Sequence, residues 1–261
     1  MKIAIFSDIH GNLPALESVL RHACAQGIQG PILTLGDAIG YGPNPDGVVR
    51  AIQGPQFINI IGDYDKKVLS KKHRQEDWSR VKPADKRRMF SWTYQALAKE
   101  SRKYLKSLPE QHTLEMGGMK ILMTHGSPTS LKEHLDPQTP QARLQSLAGT
   151  TDAEIILCGN SHQAFIREAA GALFINPGSV GRPDDGDPRA SYAILEITEP
   201  EPIQVHIYRV PYNIMKAVHA LRKSGLPEVF AQVIRRGKNY TDVLAELDNI
   251  TDRFEPEPTG T

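Results

Sequence analysis

The chain has 261 residues, 39% of them hydrophobic and 23% charged, which is enough apolar material to bury a core in one large or two small domains. A formal net charge of +1 provides no global field toward nucleic acid or a membrane surface. Two cysteines, Cys24 and Cys158, cannot make a disulfide framework, and no apolar run approaches a membrane span, so a soluble protein of the reducing cytoplasm is expected.

Residues 3–6 form a short apolar strand that reaches Ser7-Asp8 too soon to be a signal peptide. Residues 13–25 follow as a helix, with Leu13, Leu16, Val19, Leu20 and Ala23 on one face and Pro14 in the first turn. Residues 31–35 are a second strand ending in Gly36-Asp37. A turn-rich loop over 40–47 leads into a short helix from about Asp46, and residues 57–61 are a third strand ending at Gly62. Strand, helix, strand, helix, strand is the pattern of a parallel sheet.

From residue 113 onward hairpins dominate the pattern. Residues 113–116 and 119–123 flank a Gly117-Gly118 turn. Residues 155–158 are another apolar strand; 165–168 and 172–175 flank a turn near Gly171; 191–198 and 203–210 flank Glu199-Pro200-Glu201-Pro202. A parallel half and a hairpin-rich half suggest two facing sheets with helices outside. Between them residues 66–106 are polar and helical in pattern, with fourteen Lys/Arg against four Asp/Glu and with Trp78, Phe90, Trp92 and Tyr94 interleaved. This excess could steer a polyanion, but a solvated helical cap whose aromatics pack on the core is the favoured reading. Residues 212–236 read as two helices broken at Ser224-Gly225-Leu226-Pro227, and 254–261 as a disordered tail.

The chemistry lies where the strands stop. The first strand delivers Asp8 and His10, the second Asp37, the third Asp63 and Asp65. The strand ending at Met123 delivers His125, and the one ending at Cys158 delivers Asn160 and His162. Ligands of open α/β sheets gather at the carboxyl ends of strands. Side chains at i and i+2 of an extended chain share a side, so Asp8 with His10, or Asn160 with His162, can grip one ion. Carboxylates, imidazoles and a carboxamide without thiolate suit Mn²⁺, Fe or Zn²⁺. A shared aspartate suggests two ions about 3.5–4 Å apart that polarise a phosphate and activate water. Taken singly, each piece has a plainer explanation. Asp8 or Asp37 alone is most often a helix cap, and His125 alone is more often a hydrogen-bonded histidine. Their recurrence at successive strand ends outweighs those readings.

In this order DIHGN (8–12), GD (36–37), GDYD (62–65), THG (124–126) and GNSH (159–162) resemble the calcineurin-like metallophosphoesterases. INPGSVGRPDDGDPRASYAIL (175–195) and GYGPNPDGVV (40–49) resemble the bacterial and archaeal small-phosphoesterase branch. The resemblance covers most of the chain. It implies a four-layer αββα sandwich of two mixed β-sheets flanked by helices, with a metallophosphoesterase domain over 1–211 that includes a helical basic insert at about 66–108. Residues 212–253 would be a helical extension packed on the same domain. The resemblance also implies that Asp8, His10 and His162 hold one metal, that Asp37 bridges, and that His125, Asp63 and Asn160 hold the second. His125 would also face the phosphate.

The sequence departs from the family pattern at three of these positions. Asp63 stands where the family has asparagine, Tyr64 where it has a histidine that aids the leaving group, and Asn160 where it has histidine. One carboxylate is gained and one imidazole lost, which leans the second site to Mn²⁺ or Mg²⁺ over Zn²⁺. Tyrosine, with an ordinary pKa of about 10, donates a hydrogen bond but is a poor general acid, so activated diesters or nucleotide polyphosphates are expected over alkyl phosphates. Arg182 could bind phosphate or pair with Asp184, Asp185 or Asp187. Asn12 could touch substrate or cap the helix near Pro14, and Tyr41 could support the site or merely pack. The expectation is a phosphoester, phosphodiester or nucleotide phosphoanhydride hydrolase with two divalent ions, Mn²⁺ favoured. Its catalytic residues would be Tyr64 and His125, its substrate a phosphate-containing small molecule, and self-association is allowed. The rival is a weakened family member that binds a ligand or protein in a metal-dependent way.

Overall fold

The computed structural model describes residues 1–28, 30–70, 83–198 and 202–252. In chain order the elements are β1 (Lys2–Phe6), α1 (Leu13–Ala25), β2 (Ile32–Thr34), α2 (Pro45–Ile52), β3 (Phe57–Asn59), α3 (Asp63–Leu69), α4 (Ala84–Ala96) and α5 (Lys99–Ser107). They continue as β4 (Gln111–Met116), β5 (Met119–Thr124), α6 (Gln141–Ala148), β6 (Ile155–Leu157), β7 (Phe165–Ala169), β8 (Ala172–Asn176), β9 (Ala190–Glu196) and β10 (Gln204–Val210). Three helices close the described chain: α7 (Ile214–Lys223), α8 (Glu228–Arg236) and α9 (Tyr240–Asp252).

Strand β1 is buried on both faces from Ile3 onward, as a strand between two apolar layers must be. Ile3 and Ile5 face the second sheet, where they meet Ile121, Met123, Ile155, Leu157 and Ile175. Ala4 and Phe6 face outward among Leu16, Val19, Val48, Val218, Phe230 and Val233 of the surrounding helices. On the far side of the second sheet, Leu122, Ile156 and Phe174 pack with Leu144 and Leu147 of α6. Helices, sheet, sheet and helix make the αββα sandwich expected from the sequence.

The sheet membership differs from a division into a parallel half and a hairpin half. The first sheet runs β10-β9-β1-β2-β3 and the second β4-β5-β6-β8-β7. β1, β2 and β3 are parallel, but the β9–β10 hairpin joins the same sheet, with β9 antiparallel to β1 in the register Ile5↔Ala193. In the second sheet β5, β6 and β8 are parallel, and the hairpin strands β4 and β7 lie at its edges. The cause is burial: β9 is covered along six of its seven residues and so belongs in a sheet interior beside β1. Alternation reveals a hairpin but not which edge receives it.

Helix α1 starts at Asn12, whose side chain accepts from Ala15 N, and carries a proline in its first turn. α7 and α8 break at residues 224–227, where Gly225 has φ of 71°, as the turn residues there predict. Phe90 of the basic segment is buried, and Trp92 and Tyr94 pack against the same outer core. Trp78 and the tail over 254–261 lie outside the described residues. No helix among the described residues is long and apolar enough to cross a membrane.

Candidate metal centre

Parallel strands of both sheets point their carboxyl ends the same way, and the loops that leave them converge. Asp8 and His10 follow β1, Asp37 follows β2, His125 follows β5, and Asn160 and His162 follow β6; each is buried. Asp8, His10, Asp37, Tyr41, Asn160 and His162 all have φ between 49° and 64°. Ala170 is the remaining non-glycine residue with positive φ among the described residues. Left-handed backbone costs a non-glycine residue on the order of 1–3 kcal/mol and gathers at functional sites. The close approach of the loops also demands glycine at particular places. A Cβ on Gly62 would lie 2.1 Å from Asp37 Oδ1, and one on Gly159 would lie 2.0 Å from Ser7 Oγ.

The three histidines are aimed in one manner. His125 Nδ1 donates to Leu35 O at 2.7 Å, His162 Nδ1 to Arg182 O at 2.7 Å, and His10 Nδ1 to Ile39 O at 3.4 Å. A proton committed to the backbone at Nδ1 aims Nε2 into the site, the arrangement found behind metal-ligating histidines. His10 Nε2 and His162 Nε2 are 3.1 Å apart, and His162 Nε2 is 3.1 Å from Asp8 Oδ1. Asp37 Oδ2 lies 3.8 Å from His10 Nε2, and Asp37 Oδ1 lies 3.5 Å from His125 Nε2. Two groups result, Asp8–His10–His162 and Asp8–Asp37–His125, with Asp8 in both.

The carboxylates are held from behind as well. Asp8 Oδ2 accepts from Ser7 Oγ at 2.6 Å and from Asn160 N at 3.0 Å, which leaves Oδ1 free. Asp37 Oδ1 accepts from Tyr64 N at 2.8 Å. Asp65 faces away from the two groups. Its carboxylate takes the backbone N–H groups of Ala38, Ile39 and Gly62 at 3.0–3.3 Å and so ties the Asp37 loop to the start of α3. Burial, with Asp37 nearby, pushes Asp65 up to about 7.

The electrostatics ask for positive charge. Burial would lower His125, but Asp37 and Asp8 raise it to about 10. Burial and Arg182 would lower His162, but Asp8 and Asp184 raise it to about 9. Burial raises Asp37, and burial drives His10 well down. Five buried side-chain atoms among the described residues lack a hydrogen-bond partner, and four belong to this region: Asp8 Oδ1, Asp63 Oδ1, His125 Nε2 and Asp184 Oδ1. Buried polar atoms left unpaired are costly, and oxygens and imidazole nitrogens are donors suited to divalent cations. The 3.1 Å between two Nε2 atoms also fits nitrogens that each lie about 2.1 Å from one ion. The residues present therefore fit the metals that the sequence implies.

A cavity of about 500 Å³ opens over this cluster, with Asp37, Asp63, Tyr64, Asn160, His162 and Arg182 in its wall. Asp63 and Asn160 reach the cavity but fall outside the two groups. Lys67 Nζ donates to Asp63 Oδ2, and Asn160 Nδ2 donates to Glu133 O at 3.2 Å. The Tyr64 hydroxyl is 3.0 Å from that of Tyr41, and burial keeps its pKa well above ordinary. Arg182 pairs with Asp184 at 2.5 Å and lies 4.2 Å over the Tyr41 ring. Asn12 stands away from the cavity: its Oδ1 caps α1, and its Nδ2 donates to Gly181 O at 2.9 Å and Tyr212 OH at 3.1 Å.

Sequence reasoning passed over Lys67, Lys86, His134 and the segment 239–242, all of which line the cavity. None sits at a strand end beside glycine, so no local pattern marks them.

Known proteins resemble this chain in sequence and in fold. A model described as the calcineurin-like phosphoesterase superfamily domain covers residues 1–200. An uncharacterized protein of Methanocaldococcus jannaschii is 32% identical over 253 residues, covering 90% of this chain and 98% of that protein. The phosphodiesterase YfcE of Escherichia coli is 26% identical over 199 residues, 75% of this chain and 88% of YfcE. The crystal structure of a metallophosphoesterase from Sphaerobacter thermophilus aligns with TM-score 0.73 and 30% identity over 91% of this chain and 99% of that one. A hypothetical protein from Pyrococcus horikoshii shares the fold with TM-score 0.81 at 22% identity, over 91% and 99% of the two chains.

Proposed function

The chain belongs to the calcineurin-like phosphoesterase superfamily, and from that premise we propose that it hydrolyses a phosphodiester, phosphomonoester or nucleotide phosphoanhydride with two divalent ions held in the cleft. The observation that carries the proposal is the convergence of three backbone-locked imidazoles on Asp8 and Asp37, with Asp8 Oδ1 and His125 Nε2 left unpaired. Asp8, His10 and His162 would hold the first ion. Asp37, the bridge implied by the resemblance, and His125 would hold the second with Asp8, joined by Asp63 through its unpaired Oδ1 and by Asn160 through its carboxamide oxygen. Such ions supply Lewis-acid polarisation of the phosphoryl group and a nucleophilic water at neutral pH. With one carboxylate more and one imidazole fewer than the family pattern, the second position favours Mn²⁺.

The chain's own groups orient and protonate. Nδ1–H groups donated to backbone carbonyls fix the direction of three Nε2 atoms, so ions that displace the Nε2 protons of His125 and His162 would find these ligands already aimed. Tyr64, neutral at physiological pH, donates a hydrogen bond toward the leaving oxygen, and the Tyr41 hydroxyl behind it fixes its direction. A phenol transfers its proton poorly, so leaving groups that are already weak bases are favoured. Nitrophenyl esters and phosphoanhydrides are of that kind.

The rival reading is a metal-dependent binding protein with little turnover. It is supported by the Lys67 ammonium, a cation already paired with Asp63 of the second site. Metal-stripped protein reloaded with Mn²⁺ and assayed against monoesters, diesters and nucleotide polyphosphates separates the two. Turnover with two bound ions supports the phosphoesterase; one bound ion and no turnover with any metal supports the binding protein. The proposal extends to organisation. Residues 1–211 and the helices that follow work as one catalytic unit, because Asn239, Tyr240, Thr241 and Asp242 are part of the cavity wall.

A further inference from the structure

Three cationic side chains with flexible or forked heads line the cavity: Lys67, Lys86 and Arg182. Two of them are matched, Lys67 by Asp63 and Arg182 by Asp184. Lys86 has no carboxylate within ion-pair distance among the described residues. Its ammonium lies 4.6 Å over the ring of Tyr240, and that ring is stacked on Phe230 with centroids 5.7 Å apart. Phe230 is fully buried and Tyr240 is nearly so, so Lys86 rests on a platform anchored in the outer core.

Two separate parts of the chain cooperate here. Lys86 comes from α4, in the basic segment, and Tyr240 opens α9, near the end of the described chain. The junction before α9 is pinned to the loop that carries Arg182 and Asp184, since Gly186 N donates to Gly237 O at 2.8 Å. A Cβ on Gly237 would lie 2.7 Å from the backbone of Asp187 and Pro188. Asp242, the nearby carboxylate of the rim, is engaged by Asn239, whose Nδ2 donates to it at 2.7 Å. A cation on the wall of the cleft, supported by an aromatic face and with no carboxylate paired to it among the described residues, is arranged for an anion that arrives with the substrate.

We propose that Lys86, seated on Tyr240, binds a second phosphate of the substrate next to the one under attack, so that the substrate class is a phosphoanhydride of the nucleoside di- or polyphosphate kind. This rests on the phosphoesterase reading above. In the hydrolysis a water oxygen bonds to phosphorus and the bridging P–O bond breaks. The departing phosphate keeps the electron pair, and the water's proton passes to solvent or the leaving oxygen. Lys86 offsets the charge that the neighbouring phosphate carries through that change.

The test uses the full chain loaded with Mn²⁺, in wild-type, Lys86→Ala and Lys86→Arg forms. The substrates are ADP, p-nitrophenyl phosphate and bis(p-nitrophenyl) phosphate. Lys86→Ala is expected to raise KM for ADP about 10- to 100-fold, as loss of a hydrogen bond to a charged group does, with both nitrophenyl esters unchanged within about threefold. Lys86→Arg should recover most of the ADP affinity. Titration of α,β-methylene-ADP, which is not cleaved, should show the same loss in Lys86→Ala and the same recovery. Nitrophenyl turnover with equal effects of Lys86→Ala on all substrates, or with none, overturns this inference alone. Absence of turnover on every substrate and metal overturns the phosphoesterase reading, and the α,β-methylene-ADP titration then decides the role of Lys86 by itself.

Discussion

The two groups of candidate metal ligands, one half of the proposed centre each, are prepared to different degrees. Asp8, His10 and His162 already stand within ligand distance of one another, with their outer atoms tied to Ser7, Ile39 and Arg182. On the other side Asp37 and His125 are equally fixed, yet the Lys67 ammonium sits on Asp63 Oδ2 and competes with an ion for that carboxylate. One half therefore needs only an ion, whereas an ion entering the other shares Asp63 with the Lys67 ammonium. The difference teaches that affinity at each position depends on what the ligands must give up as well as on which ligands they are.

The largest expected effect comes from the residue common to both halves. Asp8→Ala should abolish binding at both positions, whereas His162→Ala should remove only the first. Loss of several kcal/mol of transition-state stabilisation corresponds to a fall in kcat/KM of about 10³-fold or more. Elemental analysis of bound metal checks this, and retention of either ion at full affinity in Asp8→Ala would break the comparison. Next in size, Tyr64→His should raise turnover of an alkyl phosphate on the order of 10²-fold while changing a nitrophenyl ester much less; the ratio of the two rates is the readout.

A smaller effect is expected at Gly62. Its substitution by alanine forces a Cβ against Asp37 and should cost about 1–3 kcal/mol in stability. The melting temperature should fall by several degrees, and the second ion should weaken more than the first. The smallest effect is a gain. Lys67→Met frees Asp63 and should tighten the second ion up to about tenfold without altering the first, since it removes a cation from beside the ligand. Calorimetric titration resolves the two steps, and equal tightening of both would contradict the unequal preparation of the halves.

Much of this was legible in the sequence because it is local. An apolar strand that stops at Asp or His, mostly with glycine within three residues, marks Asp8, Asp37, Asp63, His125 and His162 without any tertiary knowledge. The helix break at 224–227 announced itself in turn residues. What could not be read depends on distant partners. The 190–210 hairpin is visible as a hairpin, but its place beside β1 is decided by which faces both sheets need covered. Lys86 and Tyr240 are ordinary helix residues until α4 and α9 bring them together. Asp63 looks like a free ligand in the sequence because the competitor one helical turn on, Lys67, is read as one more solvated lysine.

The left-handed backbone at Asp8, His10, Asp37, Tyr41, Asn160 and His162 has a consequence for breathing motions. Each such residue stores on the order of 1–3 kcal/mol of conformational strain, and the rigid sandwich beneath must carry it. In chelated protein these three strand-end loops should open independently of the strands that feed them, exchanging amide hydrogens well before β1, β2 and β6 do. Added Mn²⁺ should slow exchange in all three loops together, by an amount that grows with free metal concentration as mass action requires.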